Sequence, residues 1–89
     1  MKCYAIKDKK MKTFLAFVWV QNIVEVTRSL QVQVNDPNSN LHRFTEDFAL
    51  YHICDGNIEQ GTVTVPVSGP TLELELTEFK NQKGVKNVG

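Results

Sequence analysis

Two groups of residues in this 89-residue chain have types and spacing suited to chemistry. Lys7, Lys9, Lys10 and Lys12 fall in one short segment, and Tyr4, Trp19 and Tyr51 offer flat aromatic surfaces. Lysines neutralise phosphates and aromatic rings stack on unpaired bases, the usual combination for binding single-stranded nucleic acid. Arg28 is a further cation for such a site. The same lysines also read as a solvated turn that discourages edge-to-edge strand pairing, with the aromatics in the core. The second group is His52 and Cys54, with Asp47 and Asp55 nearby. A metal needs three or four converging ligands, and two residues at i, i+2 in an apolar segment read as packing. Cys54 with His42 or His52 as nucleophile and base has nothing to orient a third group or to form an oxyanion site. No catalytic residue, metal site or cofactor is therefore expected, and the chain is not read as an enzyme.

These residues need elements to position them. Met1 to Lys7 places apolar residues on both faces, as in a central strand. Asp8 to Lys12 is a charged turn, and Thr13 to Val20, rich in β-branched and aromatic residues, fits the second arm of a hairpin. Asn22 has the form of a helix N-cap with Glu25 three positions on, completing a capping box. Ile23, Val26, Leu30 and Val34 follow at helical spacing, with Glu25, Arg28, Gln31 and Gln33 on the wet face. Leu30 to Val34 also alternates with strand period, so propensity alone leaves that half undecided. The stop signal decides for helix, with Asn35 expected in the left-handed conformation and Pro37 preventing continuation.

After an Asp36 to Asn40 turn, Phe48 to Cys54 reads as a third strand, with Phe48, Leu50, His52 and Cys54 on one face and Ala49, Tyr51 and Ile53 on the other. Asp55-Gly56 is a turn dipeptide and Gly61 closes the loop that follows. Thr62 to Val67 contains Pro66, which cannot donate to a ladder, so this strand is short or at an edge. Leu72, Leu74 and Leu76 alternate with Glu73, Glu75 and Thr77 as a half-buried strand. The expected fold is α+β, one mainly antiparallel sheet in the order β-β-α-β-β-β with a single helix on one face. Residues 1–80 form the domain and 81–89 a flexible basic tail.

Charge is distributed unevenly although its total is zero. Residues 1–12 carry five lysines against one aspartate, a net of +4, whereas residues 13–79 carry two arginines against nine carboxylates, a net of −7. Arg28 and Arg43 have Asp36, Glu46 and Asp47 as candidate partners, and Glu73, Glu75 and Glu78 read as the wet face of the last strand. Cys3 and Cys54 lie in apolar segments and are expected as buried reduced thiols. The apolar run Phe14 to Val20 is too short for a membrane span, which takes roughly 20 residues. No secretory signal is read, and the expected setting is cytoplasmic. So short a chain buries a small core, and a strand apolar on both faces suggests surplus surface. Phe14, Phe17 and Trp19 are the expected contacts of a homodimer or of another protein.

With these elements placed, the chain resembles the small nonstructural protein of gokushoviruses, single-stranded DNA phages of the microvirus group. The likeness rests on Met1-Lys2, Tyr4-Ala5-Ile6 and Asp8-Lys9-Lys10, on Arg28, on Val34-Asn35-Asp36-Pro37, and on Glu46-Asp47-Phe48 followed by Leu50-Tyr51 and Ile53. It runs from the first residue to about Gly61. The resemblance implies a non-virion protein of the host bacterial cytoplasm that assists single-stranded DNA genome replication or packaging, with single-stranded DNA or phage and host replication proteins as partners. It supplies no binding motif, so the site residues above come from their chemistry. The alternative, from a different class, is a protein-binding module directed at a host factor with no affinity for nucleic acid.

Overall fold

A computed structural model of the chain describes residues 1–80; the tail expected over residues 81–89 lies outside them. The hairpin pairs β1 (Lys2–Asp8) with β2 (Thr13–Val20), and β1 pairs on its other side with β3 (Phe48–Asn57). The outer edge of β3 is shared: its last residues pair with β4 (Thr62–Thr64) and its first with β5 (Thr71–Glu75). Every pairing is antiparallel, and the order is β2-β1-β3-β4 with β5 beside β4 on β3. The α+β architecture expected from the pattern is the one observed, with β1 central and β4 short and at an edge.

The main helix, α1 (Ile23–Val34), begins where the capping box placed it. Asn22 Oδ1 accepts from the Val24 amide at 2.9 Å, while the Glu25 carboxylate accepts from the Gln21 and Asn22 amides at 3.2 Å each. Its end differs from expectation. Asn35 has φ −97° and ψ 5°, outside the left-handed region. It needs no such conformation, because its Nδ2 donates to the Gln31 carbonyl at 2.8 Å and its own amide to the Gln33 carbonyl. His42 Nδ1, 2.8 Å from the Val34 carbonyl, supplies another donor to the orphan groups at this end.

Val26, Leu30 and Val34 of α1 pack on Tyr4, Ile6, Val20, Phe48 and Leu50 of the sheet. A short helix, α2 (Asn40–Arg43), follows with Ser39 as its cap and leads through a 3₁₀ turn over Thr45–Asp47 into β3. Leu41 from α2, Leu76, and Phe79 from the helical residues 77–80 close the same core. The expected single helix is thus the largest of several helical pieces, all contributing to one side. The polar turn cluster hid α2, whose only buried anchor is Leu41.

Three register shifts decide which side chains share a face. Between β3 and β5, Leu74 pairs with Leu50 but Leu72 with Tyr51, so the expected alternation of Leu72, Leu74 and Leu76 is broken: Leu72 is exposed on the open side and Leu76 lies in the core beyond the end of β5. In β3, Cys3 pairs with Cys54 and Tyr4 with His52, which leaves Ile53 as an extra residue. Strict alternation predicts His52 and Cys54 on one face; the bulge sends Cys54 to the face of Cys3 and leaves His52 with Tyr4. In β2, Tyr4 pairs with Val18 and Ile6 with Leu15, so Ala16 and Phe17 together oppose Ala5. Ala16 has φ +54°, an unfavourable left-handed conformation for a residue with a Cβ. Asp55 and Gly56 lie within β3 instead of forming a turn, and the chain reverses over residues 57–61, with Gly61 at φ +68°.

The covered side of the sheet holds the fold together. Leu50 is 1% exposed, and Leu50→Ala is expected to destabilise the domain by ~2–5 kcal/mol, the range for truncating a packed core leucine. Asn22→Ala, which removes one cap acceptor, is expected to cost only ~1 kcal/mol. Urea unfolding of the two variants checks the ranking, and an Asn22 variant as unstable as the Leu50 variant would contradict it.

Candidate nucleic-acid and protein interface on the open sheet face

Residues that alternate with the core positions form the other face of the sheet. On β1 these are Cys3, Ala5 and Lys7; on β3 they are Ala49, Tyr51 and Cys54, each paired with one of the former. On β2, Phe14 pairs with Lys7 and Trp19 with Cys3, while Val18 and Val20 line a groove against Val26, Ser29 and Leu30 of α1. Phe17, between Phe14 and Trp19, stands on the same open side as Trp19. No helix covers this face among the described residues.

Small residues floor it and large ones roof it. Ala5 and Ala49 are fully buried and Cys3 and Cys54 nearly so, although the helices are on the other side. The Phe14 and Tyr51 rings, from strands on either side of β1, meet edge to face with centroids 5.4 Å apart. The Lys7 ammonium lies 5.5 Å from each ring centre, within cation–π range of both. Trp19 reaches across β1 towards β3: a Cβ on Gly56 would lie 2.8 Å from its Cζ3. Gly56 is therefore the residue that lets the indole lie down on the sheet. Phe17 remains 58% exposed and Trp19 44%.

The structure brings together some of the residues singled out for binding and separates others. Lys7, Tyr51, Phe14, Phe17 and Trp19 share the open face, and Lys10 and Lys12 are exposed on the hairpin turn at its edge. Lys9 is on the same turn but its Nζ donates to Glu75 Oε1 at 2.6 Å, so it is partly neutralised. Tyr4 is a correction. It is 3% exposed within the core under α1 and has no face to offer a base. Arg28 lies on α1, in the layer covering the opposite side, so it does not join the lysine and aromatic group. Phe14, read from sequence only as an interface residue, also belongs to the aromatic pair; the signal was its place directly after the charged turn, opposite Lys7.

Cys3 and Cys54 are directly opposed across β1 and β3 and both are free thiols. Burial pushes the Cys3 thiol up, and the neighbouring Cys54 pushes it further in the same direction. The Tyr4 hydroxyl is also raised, chiefly by burial and then by Glu73. His52 shares no face with Cys54, and its Nε2 lies 2.7 Å from Asp55 Oδ1. Among the described residues, no three His, Cys, Asp or Glu side chains are grouped to hold a metal, and no helix is long and apolar enough to cross a membrane. Arg28 and Arg43 enter none of the ion pairs among the described residues, which are Lys2 with Asp55, Lys9 with Glu75 and His52 with Asp55.

Fold and surface define the class: a small two-layer α+β protein with a sheet covered on one side and bare, aromatic and lysine-edged on the other. The sequence model of the phage ORF5 protein family matches residues 1–79, and the chain belongs to that family. The match extends beyond Gly61, where the likeness seen in the residues stopped, and takes in β4, β5 and the buried Phe79. Neither curated proteins nor solved structures give a match to the chain.

The Asp55 carboxyl is held below the usual carboxylate range, first by the hydrogen bond from His52 and then by Lys2. A depressed folded-state value adds stability above the unfolded value, about 3.9, and loses it as pH falls through the folded one. Asp55→Asn is therefore expected to melt slightly below the parent near neutral pH, with the gap closing as pH is lowered below about 4. Thermal melts followed by circular dichroism test this; a gap that persists in acid would contradict it.

Proposed function

We propose that this ORF5-family chain is the small nonstructural protein of a gokushovirus and assists replication or packaging of a single-stranded DNA genome by binding, not by catalysis. It works in the host cytoplasm outside the virion, and the open sheet face is the binding surface. The observation that supports this most is the Lys7 ammonium set between the Phe14 and Tyr51 rings on that face. Flat rings accept any base by stacking, and a cation among them meets the phosphate that each base brings. Lys10 and Lys12 extend positive charge along one edge. Phe17 and Trp19 continue the aromatic surface along the outer strand, β2.

An acidic body limits the footprint to this strip. Arg28, on the other layer, has no part in it, and Lys9 contributes little because Glu75 holds it. A protein-directed role against a host factor is the second reading; its support is β2, which carries no charge and leaves Leu15, Phe17, Val18 and Trp19 exposed.

Titration of labelled single-stranded oligonucleotide at several salt concentrations separates the two. Tyr51→Ala is expected to weaken binding by ~5–100-fold, the effect of losing one stacked base. The double variant Lys10→Glu, Lys12→Glu is expected to weaken it and to flatten the dependence of log affinity on log salt by about 1.4, for two phosphate contacts on a single strand. Arg28→Glu should leave the titration unchanged. Absence of binding at low salt would overturn the nucleic-acid reading and favour the protein-directed one.

A further inference from the structure

β2 is an edge strand with no device of charge to protect it. It pairs with β1 alone, so the backbone groups of its outer side have no strand partner among the described residues. Its eight residues, TFLAFVWV, include no charge and no proline, where exposed edges are ordinarily blunted by one or the other. Leu15, Phe17, Val18 and Trp19 are all more than a third exposed, and they lie on both faces. A bulge is the one remaining edge device, and here it has a different consequence.

In an unbroken strand, residues five apart point to opposite faces. The bulge at Ala16 adds one residue, so Phe14 and Trp19 stand on the same face, opposite Lys7 and Cys3 of β1. Likewise Leu15 and Val18 share the helix face, opposite Ile6 and Tyr4. This symmetry about the bulge is what a two-fold axis needs. If β2 meets β2 of another molecule antiparallel and centred between Ala16 and Phe17, Phe14 of each copy falls beside Trp19 of the other. Leu15 falls beside Val18 in the same way. Opposed residues then share a face at the pairs Thr13–Val20, Phe14–Trp19 and Leu15–Val18, with the two bulges at the axis, and aromatic or branched cross-strand pairs of this kind are the favourable ones.

The ends of the strand are complementary too. In that register Lys12 of one copy lies beside Gln21 of the other, and the Gln21 amide is held by the Glu25 carboxylate at 3.2 Å. The basic turn of each copy thus meets the acidic cap of α1 in its partner. We propose that the occupant of the β2 edge is a second copy of this chain, paired strand to strand in that register to form one continuous sheet. With roughly 150–250 Å² on each aromatic side chain, the exposed parts of Phe17 and Trp19 alone present about 200 Å² per copy. Leu15 and Val18 add further apolar surface, and the unpaired backbone edge supplies ladder hydrogen bonds along the whole strand. The open faces of the two copies join across the axis. The pairing stands whether or not those faces meet nucleic acid.

Sedimentation equilibrium over a wide concentration range, without oligonucleotide, tests association. The protein is expected to be dimeric, and Phe17→Lys, a change at a 58% exposed position, is expected to weaken the dimer by about tenfold or more while keeping the far-ultraviolet circular dichroism. The register has its own test. Phe14→Cys and Trp19→Cys, made separately in a Cys3→Ala, Cys54→Ala background because Cys3 opposes Trp19 within the chain, and mixed under mild oxidation, are expected to give a disulfide-linked heterodimer, because directly opposed strand residues meet disulfide geometry. Each variant alone should give none. A protein that stays monomeric, a dimer indifferent to Phe17→Lys, or cross-linking of either single variant with itself in preference to the mixture would overturn the proposal.

Discussion

Everything in this molecule depends on β1 being paired along both edges while only one of its faces receives helices. Seven residues of β1 hold β2 on one side and β3 on the other. Tyr4 and Ile6 then point into a core closed by α1, α2, Leu76 and Phe79, while Cys3, Ala5 and Lys7 point away from it. A chain this short has too few helical residues to cover a five-stranded sheet twice, so one face must be closed by other means. Here that is done by the sheet's own large side chains lying over small ones. Ala5, Ala49 and the two cysteines are buried beneath Phe14, Tyr51, Trp19 and the stem of Lys7. The face is dry at its floor and aromatic at its surface, so it contributes to the fold without a second layer over it.

The capping box, the helical spacing of Ile23, Val26, Leu30 and Val34, and the apolar character of both faces of Met1 to Lys7 were legible because each is a local pattern with one physical reading. Asn22 and Glu25 satisfy orphan amides wherever the helix goes. The bulges were not legible. An extra residue at Ala16 or Ile53 is set by how three strands twist past each other, and strict alternation assigned His52 and Cys54 to one face when they stand on two. Asp55-Gly56 has turn chemistry but was drawn into β3 by pairing with Lys2 and Thr64 and by the need for a glycine beneath Trp19. Tyr4 could not be told from Tyr51 by type; only the position of α1 makes one a core residue and the other a surface one.

A concavity with an apolar lining, about 190 Å³ between α1 and β2, has Glu25, Ser29 and Gln33 on its rim. α1 covers Val20 at the end of β2 but leaves Leu15 and Val18, on the same side of that strand, more than a third exposed. The outermost strand is therefore under-packed on one face, exposed on the other and unpaired along its edge, a single consequence of having one main helix for a sheet this wide.

The two tyrosines report directly on which face is covered. Nitration of the native protein with tetranitromethane, followed by mass mapping, is predicted to modify Tyr51 and to spare Tyr4 until the protein is unfolded. Modification of Tyr4 in the native state at a rate equal to or above that of Tyr51 would mean that α1 does not cover the Tyr4 face, and the account of a sheet covered on one side only would be wrong.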